Sequence, residues 1–127
     1  MRPGKPLVFG RVGRSFFFGL PGNPVSAFVA FQLFVRPALA VLSGAEFEAP
    51  VFFRARIARP YRQTLGLTMF LPARVEMSNA DPVADPVSWR GSGDLVGLAA
   101  ANCFIVIHPR QVEIAAGEQV DILLKTI

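Results

Sequence analysis

The run VSAFVAFQLFVRPALAVL, Val25 to Leu42, set directly behind Pro21-Gly22-Asn23-Pro24, constrains the fold more than any other segment. Asn23 is a natural N-cap, because its side-chain oxygen can accept from a free first-turn N–H, and Pro24 suits the first helical position, where its missing N–H would be unpaired anyway. Gly44 supplies a stop. A helix is therefore predicted from about Pro24 to about Leu42. Phe28, Phe31, Leu33, Phe34, Val35, Leu39 and Leu42 surround most of it, so burial on nearly all sides is expected. Ser26, Gln32, Arg36 and Pro37 interrupt the run, which falls short of the ~20 nearly uninterrupted apolar residues that a membrane span needs. No membrane span is predicted.

Ahead of the helix, residues 7–10 (LVFG) and 15–20 (SFFFGL) read as a hairpin of two buried strands joined by a turn at Arg11-Val12-Gly13-Arg14. A hairpin and one helix cannot bury that helix alone. From about Ala49 the texture changes to short strand-like runs, VFFRARIAR, LTMFLPARVEM, NCFIVIH and QVDILLK, separated by Gly, Pro, Asn and Asp. This spacing suggests a small antiparallel barrel or sandwich, with Phe53, Ala55 and Ile57 on one face and Arg54, Arg56 and Ala58 on the other. The segment Asn79 to Pro86, with two prolines, reads as a mobile loop. The predicted class is α+β: a strand-hairpin-helix piece over residues 1–44, a boundary near Ser43 to Pro50, and an all-β barrel-like unit over 50–127.

At 127 residues the chain has room for one ordinary domain, or a small one plus part of another. It is 52% hydrophobic, too apolar for disorder, and some of that surplus calls for a partner surface. A net charge of +4 is compatible with an anionic ligand. One cysteine, Cys103, excludes an internal disulfide, and with a single histidine, His108, there is no soft-ligand cluster for zinc. A reducing, cytoplasmic setting is the simplest reading. Residues 1–6 lack the apolar core of a signal peptide.

The sharpest local signal is GLPGNPVS, Gly19 to Ser26, a tight turn between a strand and a helix start, where free amides and the helix dipole favour an anion. An ordinary capped turn explains the pattern equally well. Arg2 and Lys5 could add positive charge nearby, or be solvated residues near a chain end. Trp89 to Asp94 is a second Gly-rich turn, in which Ser92 and flanking amides could hold an oxyanion. Asp81, Asp85 and Asp94 have no recognised metal-ligand spacing and read as turn residues. Cys103 and His108, in or beside an apolar strand, read as packing residues.

Taken in order, RPGKPLVFG, GLPGNPVSAFVAFQLFVRPAL and GSGDLVGLAAANCFIVI resemble the end of the molybdopterin molybdenumtransferases, the MoeA and gephyrin E-domain family. The resemblance runs over nearly the whole chain. It implies that residues 1–44 close an α/β domain that binds molybdopterin and that a β-barrel-like C-terminal domain follows. It further implies a transferase that inserts molybdenum from molybdate into adenylylated molybdopterin, with Mg2+ assisting release of AMP. Carried over by motif, the ligand-contacting positions are Arg2, Lys5, Pro21, Gly22, Asn23, Pro24, Ser26, Ser92 and, as a substitute for a barrel arginine of the family, Arg74. Arg2 stands where the family often has lysine, which keeps charge but alters donor geometry. The acidic residues that hold the metal are expected ahead of Met1, so no metal ligand is assigned here. This chain alone is then expected to be inactive, with its helix partly uncovered and buried in a homodimer or higher oligomer.

Two other readings stand beside this one. A free-standing basic barrel could bind anions or single-stranded nucleic acid, although one tyrosine and one tryptophan argue against the latter. A scaffold or interaction domain would use the apolar helix.

Overall fold

The computed structural model describes residues 7–20, 24–47, 49–63, 66–76, 81–87 and 95–125. A hairpin of β1 (Val8–Val12) and β2 (Ser15–Gly19) leads to one continuous helical run made of α1 (Pro24–Ala30), a π-helical segment (Phe31–Val35) and α2 (Arg36–Leu42). Then come β3 (Phe52–Ile57), β4 (Tyr61–Arg62), β5 (Met69–Glu76), β6 (Val83–Pro86), α3 (Leu95–Ala100), β7 (Cys103–Ile107), β8 (Glu113–Ile114) and β9 (Gln119–Leu124).

The long helix occupies the predicted span and ends as the sequence requires. Gly44 has φ +89°, Ala45 N–H donates to Ala40 O and Gly44 N–H to Val41 O, the paired bonds that satisfy the last carbonyls of a helix. The π turn has a local cause. Pro37 lacks the N–H that would reach back one turn, and its ring would clash with the carbonyl four residues earlier. The wider turn ahead of it, closed by Arg36 N–H donating to Phe31 O, relieves that crowding.

Two expectations about burial need correcting. The hairpin strands are mostly exposed rather than buried, with Phe9 at 62% and Phe16 at 47% exposure. Its turn is also tighter than expected: Arg11 and Val12 belong to β1, and Gly13, with φ +60°, starts a two-residue connection of the kind that matches strand twist. The helix is buried on one side only. Val29, Ala30, Gln32 and Val35 are buried, whereas α2 contributes no buried residue.

The second half is a closed barrel in the order β3-β6-β5-β7-β9, with β9 returning to β3. Alternation along β3 works as predicted: Ala55 and Ile57 point into the core and Arg54 and Arg56 outward. Inward residues of all five strands, among them Leu71, Ala84, Ile105 and Ile122, fill the interior, and the β4–β8 pair adds Tyr61 and Ile114 to the same core. The barrel is not wholly antiparallel, because β3 and β6 run parallel through Arg56–Val83 and Ile57–Ala84. The strand β6 corrects the loop expected at 79–86, of which 81–86 is described. Pro82 precedes the strand and Pro86 ends it, so Val83, Ala84 and Asp85 are free to pair with β5 and close the barrel. Pro72 sits inside β5 by a similar device: its carbonyl accepts from Val87 N–H beyond the end of β6, so its missing donor falls where the ladder has stopped.

Asn102, just before β7, extends the sheet with its side chain. Its Oδ1 accepts from Val75 N–H at 2.8 Å and its Nδ2 donates to Val75 O at 3.0 Å. A second apolar cluster joins the helix to the outside of the barrel: Val29 with partly buried Phe28 and Leu33, against Phe70, Leu98, Phe104, Val106 and Leu123.

Candidate functional site

Of the residues singled out in the sequence, Arg2, Lys5, Pro21, Gly22, Asn23 and Ser92 lie outside the described residues. Pro24 opens α1, as its fixed φ predicts, and Ser26 is buried within the first turns. The helices that succeed the two candidate loops do meet. The helix α3 begins directly after the Trp89–Asp94 segment, and it packs against α1, which begins directly after Pro21-Gly22-Asn23. Leu98 of α3 shares a cluster with Val29 of α1, with Phe104 beneath them.

Two basic side chains anchor α3. Arg74, exposed on β5, donates from Nη1 to Ala100 O at 2.8 Å, and Lys125 donates from Nζ to Leu98 O at 2.9 Å. Cations at the last carbonyls of a helix meet both unpaired acceptors and the negative end of its dipole. Lys125 also lies over the Phe28 ring at 5.9 Å, tying α3, β9 and α1 into one corner. Arg74 is thus placed as a helix-end anchor. Nothing in the residue pattern singles out Lys125, whose role depends on where β9 ends.

Cys103 is buried as expected. Desolvation pushes its thiol up to about 12, against a lowering by the Arg74 charge, so it stays protonated and donates weakly to Ala73 O. His108 corrects the packing expectation: its side chain is half exposed and places Nε2 2.6 Å from Asp121 Oδ2. Asp121 also accepts from Arg54 Nη1 at 3.0 Å. The hydrogen bond from His108, followed by the bond and charge of Arg54, holds the Asp121 carboxyl below its ordinary value of 3.8, while burial pulls the other way. A lowered folded pKa contributes stability that is complete above the ordinary value and is lost as pH falls through the folded one. Asp121→Asn is therefore expected to flatten the acid limb of the stability profile below about pH 4. Urea midpoints from pH 2 to 7 check this, and an unchanged acid limb would count against the pairing.

The arginines on the outer face are paired in the same way. Arg56 meets Asp81 at 2.8 Å, Arg59 meets Asp85 at 2.9 Å and Arg62 meets Glu113 at 3.5 Å. Exposed pairs add little stability, but they leave no bare cationic track along this face among the described residues. Among the described residues, no group of three or more His, Cys, Asp or Glu side chains could hold a metal ion. No helix among them is long and apolar enough to cross a membrane.

Residues 54–125, more than half of the chain, match the family model of the MoeA C-terminal region (domain IV). The chain belongs to this family. The MoeA-family chain is 32% identical over 124 residues to a molybdopterin molybdenumtransferase of Staphylococcus aureus (strain COL), covering 98% of this chain and 30% of that protein. It is 33% identical to one of Haemophilus influenzae, covering 96% of this chain and 31% of that protein. The crystal structure of a molybdopterin biosynthesis MoeA protein from Pyrococcus horikoshii superposes with a TM-score of 0.79 at 29% identity, over 99% of this chain and 30% of that one. The chain thus spans about 30% of the relatives it matches. The likeness extends beyond the barrel, so the hairpin and long helix belong to the shared architecture as well.

Proposed function

We propose that this chain is the C-terminal part of a transferase that inserts molybdenum from molybdate into adenylylated molybdopterin, with release of AMP. One observation carries the reading: proteins named molybdopterin molybdenumtransferase match along 98% of the chain, across the candidate loop as well as the barrel. In this reading the Gly22 and Asn23 amides of the Pro21-Gly22-Asn23-Pro24 loop at the helix start and the charges of Arg2 and Lys5 receive an anionic group. Ser26 lies further along the same helix, and Ser92 with its neighbouring amides supplies a second anion contact ahead of α3. The packing of α1 on α3 supports a shared pocket, and Arg74 acts there by holding α3. The described residues do not fit a magnesium site, since Asp81, Asp85, Glu113 and Asp121 are each engaged by arginine. No step is assigned to the metal.

Lys5→Ala, made in the whole protein, is expected to weaken molybdopterin binding at low salt and to reduce its dependence on ionic strength, because an exposed charge acts over ~8 Å at physiological salt. Titration by fluorescence quenching at two salt concentrations measures both effects. Equal affinity of parent and variant at both would remove Lys5 from the site.

The exposed side of the helix supports a second part of the reading. Phe34, Leu39, Val41 and Leu42 are exposed, and Phe34, Val41 and Leu42 with Phe9 and Phe47 frame an apolar cleft of about 480 Å³ between hairpin and helix. Exposed apolar patches of several hundred Å² drive association. The isolated chain is expected to form dimers or higher oligomers, in a cytoplasmic setting. Sedimentation of a monomer at high concentration would refute this.

A further inference from the structure

We infer that the π-helical segment Phe31–Val35 is a register switch, which turns α2 against the barrel, with Gln32 as its latch. Three independent features meet at this point of the fold. Gln32 is buried at 6% exposure and donates from Nε2 to Leu124 O at 2.5 Å, but its Oε1 is sealed from solvent and has no hydrogen-bond partner among the described residues. The amide cannot turn over to satisfy that oxygen, because Oε1 would then face the Leu124 carbonyl. A buried acceptor without a donor opposes the bond that holds it there.

The helix α2 is also weakly held. No residue of α2 is buried, and a cleft of about 270 Å³ separates Arg36, Pro37 and Ala40 from Pro50, Val51 and Leu123. Removing the extra residue of the π turn would rotate α2 by roughly 100°, the turn of one α-helical residue, and the cleft provides room for it. Val29 and Phe28, packed on Phe104, would keep α1 in place meanwhile. Pro37 opposes the regular register, since its ring crowds Leu33 O there. The π register is therefore the major state, held by Pro37 and the Gln32–Leu124 bond and opposed by the unmet oxygen. Rotation changes which side of Leu39, Val41 and Leu42 the helix presents outward.

Helix register shifts occur in microseconds to milliseconds, a range read by ¹⁵N relaxation dispersion. On the 127-residue chain, exchange is expected at amides of 31–42 and at Leu124 and Lys125, with one shared rate. Pro37→Ala is expected to enlarge it several-fold at those residues. A Pro37→Ala variant that also lacks Phe34 fixes the regular register and serves as the reference: its shift differences from the parent should track those extracted from dispersion. Absence of exchange in both the parent and Pro37→Ala, exchange spread evenly through the barrel strands, or shift differences unrelated to the reference would each overturn the switch. Should the reference fail to fold, the parent and Pro37→Ala measurements alone decide.

Discussion

Phe104→Ala is expected to destabilise the chain by about 3–5 kcal/mol, the usual cost of emptying a buried phenylalanine site. Phe104 is fully buried on β7, but on the outer side of the barrel, where it meets Phe28 with ring centroids 6.0 Å apart and packs with Val29, Leu98 and Leu123. Its removal leaves a hole between three elements that cannot collapse together, because β7 is fixed by ladders to β5 and β9 on either side. The helix should therefore suffer before the barrel does. Hydrogen exchange is expected to show amides of Phe28 to Leu33 losing protection in the variant while those of β5, β7 and β9 retain theirs. Urea unfolding gives the free energy, and a loss below about 1.5 kcal/mol, the range of well-tolerated core changes, would mean that this cluster does not hold the helix to the barrel.

The helix and most of the barrel were legible because their signals are local. Pro24 and Gly44 mark the helix ends by backbone chemistry, and the alternation Arg54-Ala55-Arg56-Ile57 fixes two faces of a strand with no knowledge of its neighbours. The features that escaped depend on partners distant in sequence. Val83 to Pro86 looks like a loop by its prolines and becomes a strand only because β3 and β5 offer it edges on both sides. Pairing of His108 with Asp121 depends on the register of β7 on β9, which no single strand reveals. The hairpin phenylalanines read as buried because apolar strands usually are, yet among the described residues little packs over them. The helix ahead of β7 was hidden in Leu95 to Ala100, whose small and apolar residues carry no marked period. The candidate loop itself was identified by residue type and resemblance, and its geometry falls at Pro21 to Asn23, outside the described residues.

The chain alone is expected to release no AMP above background, whereas the same chain restored to a full-length family member should turn over. Such a reaction must hold two anions and a divalent cation together in a water-restricted pocket, where fixed amides and basic groups orient the reactants. Among the described residues Asp81, Asp85, Glu113 and Asp121 are engaged by arginines, and the chain spans only about 30% of the relatives it matches. On the proposed reading the metal ligands and the other walls of the pocket belong to the part of the relatives that this chain does not span, and without them the rate should be lower by several orders of magnitude. The direct test is a chimera in which residues 1–127 replace the matching region of a full-length molybdopterin molybdenumtransferase. Chimera and isolated chain are incubated with adenylylated molybdopterin, molybdate and Mg2+, and AMP release is monitored together with reconstitution of an apo-molybdoenzyme. AMP and active cofactor from the chimera, with neither from the chain alone, is the predicted result; a correctly folded chimera that yields neither, or an isolated chain that matches it, would contradict the account.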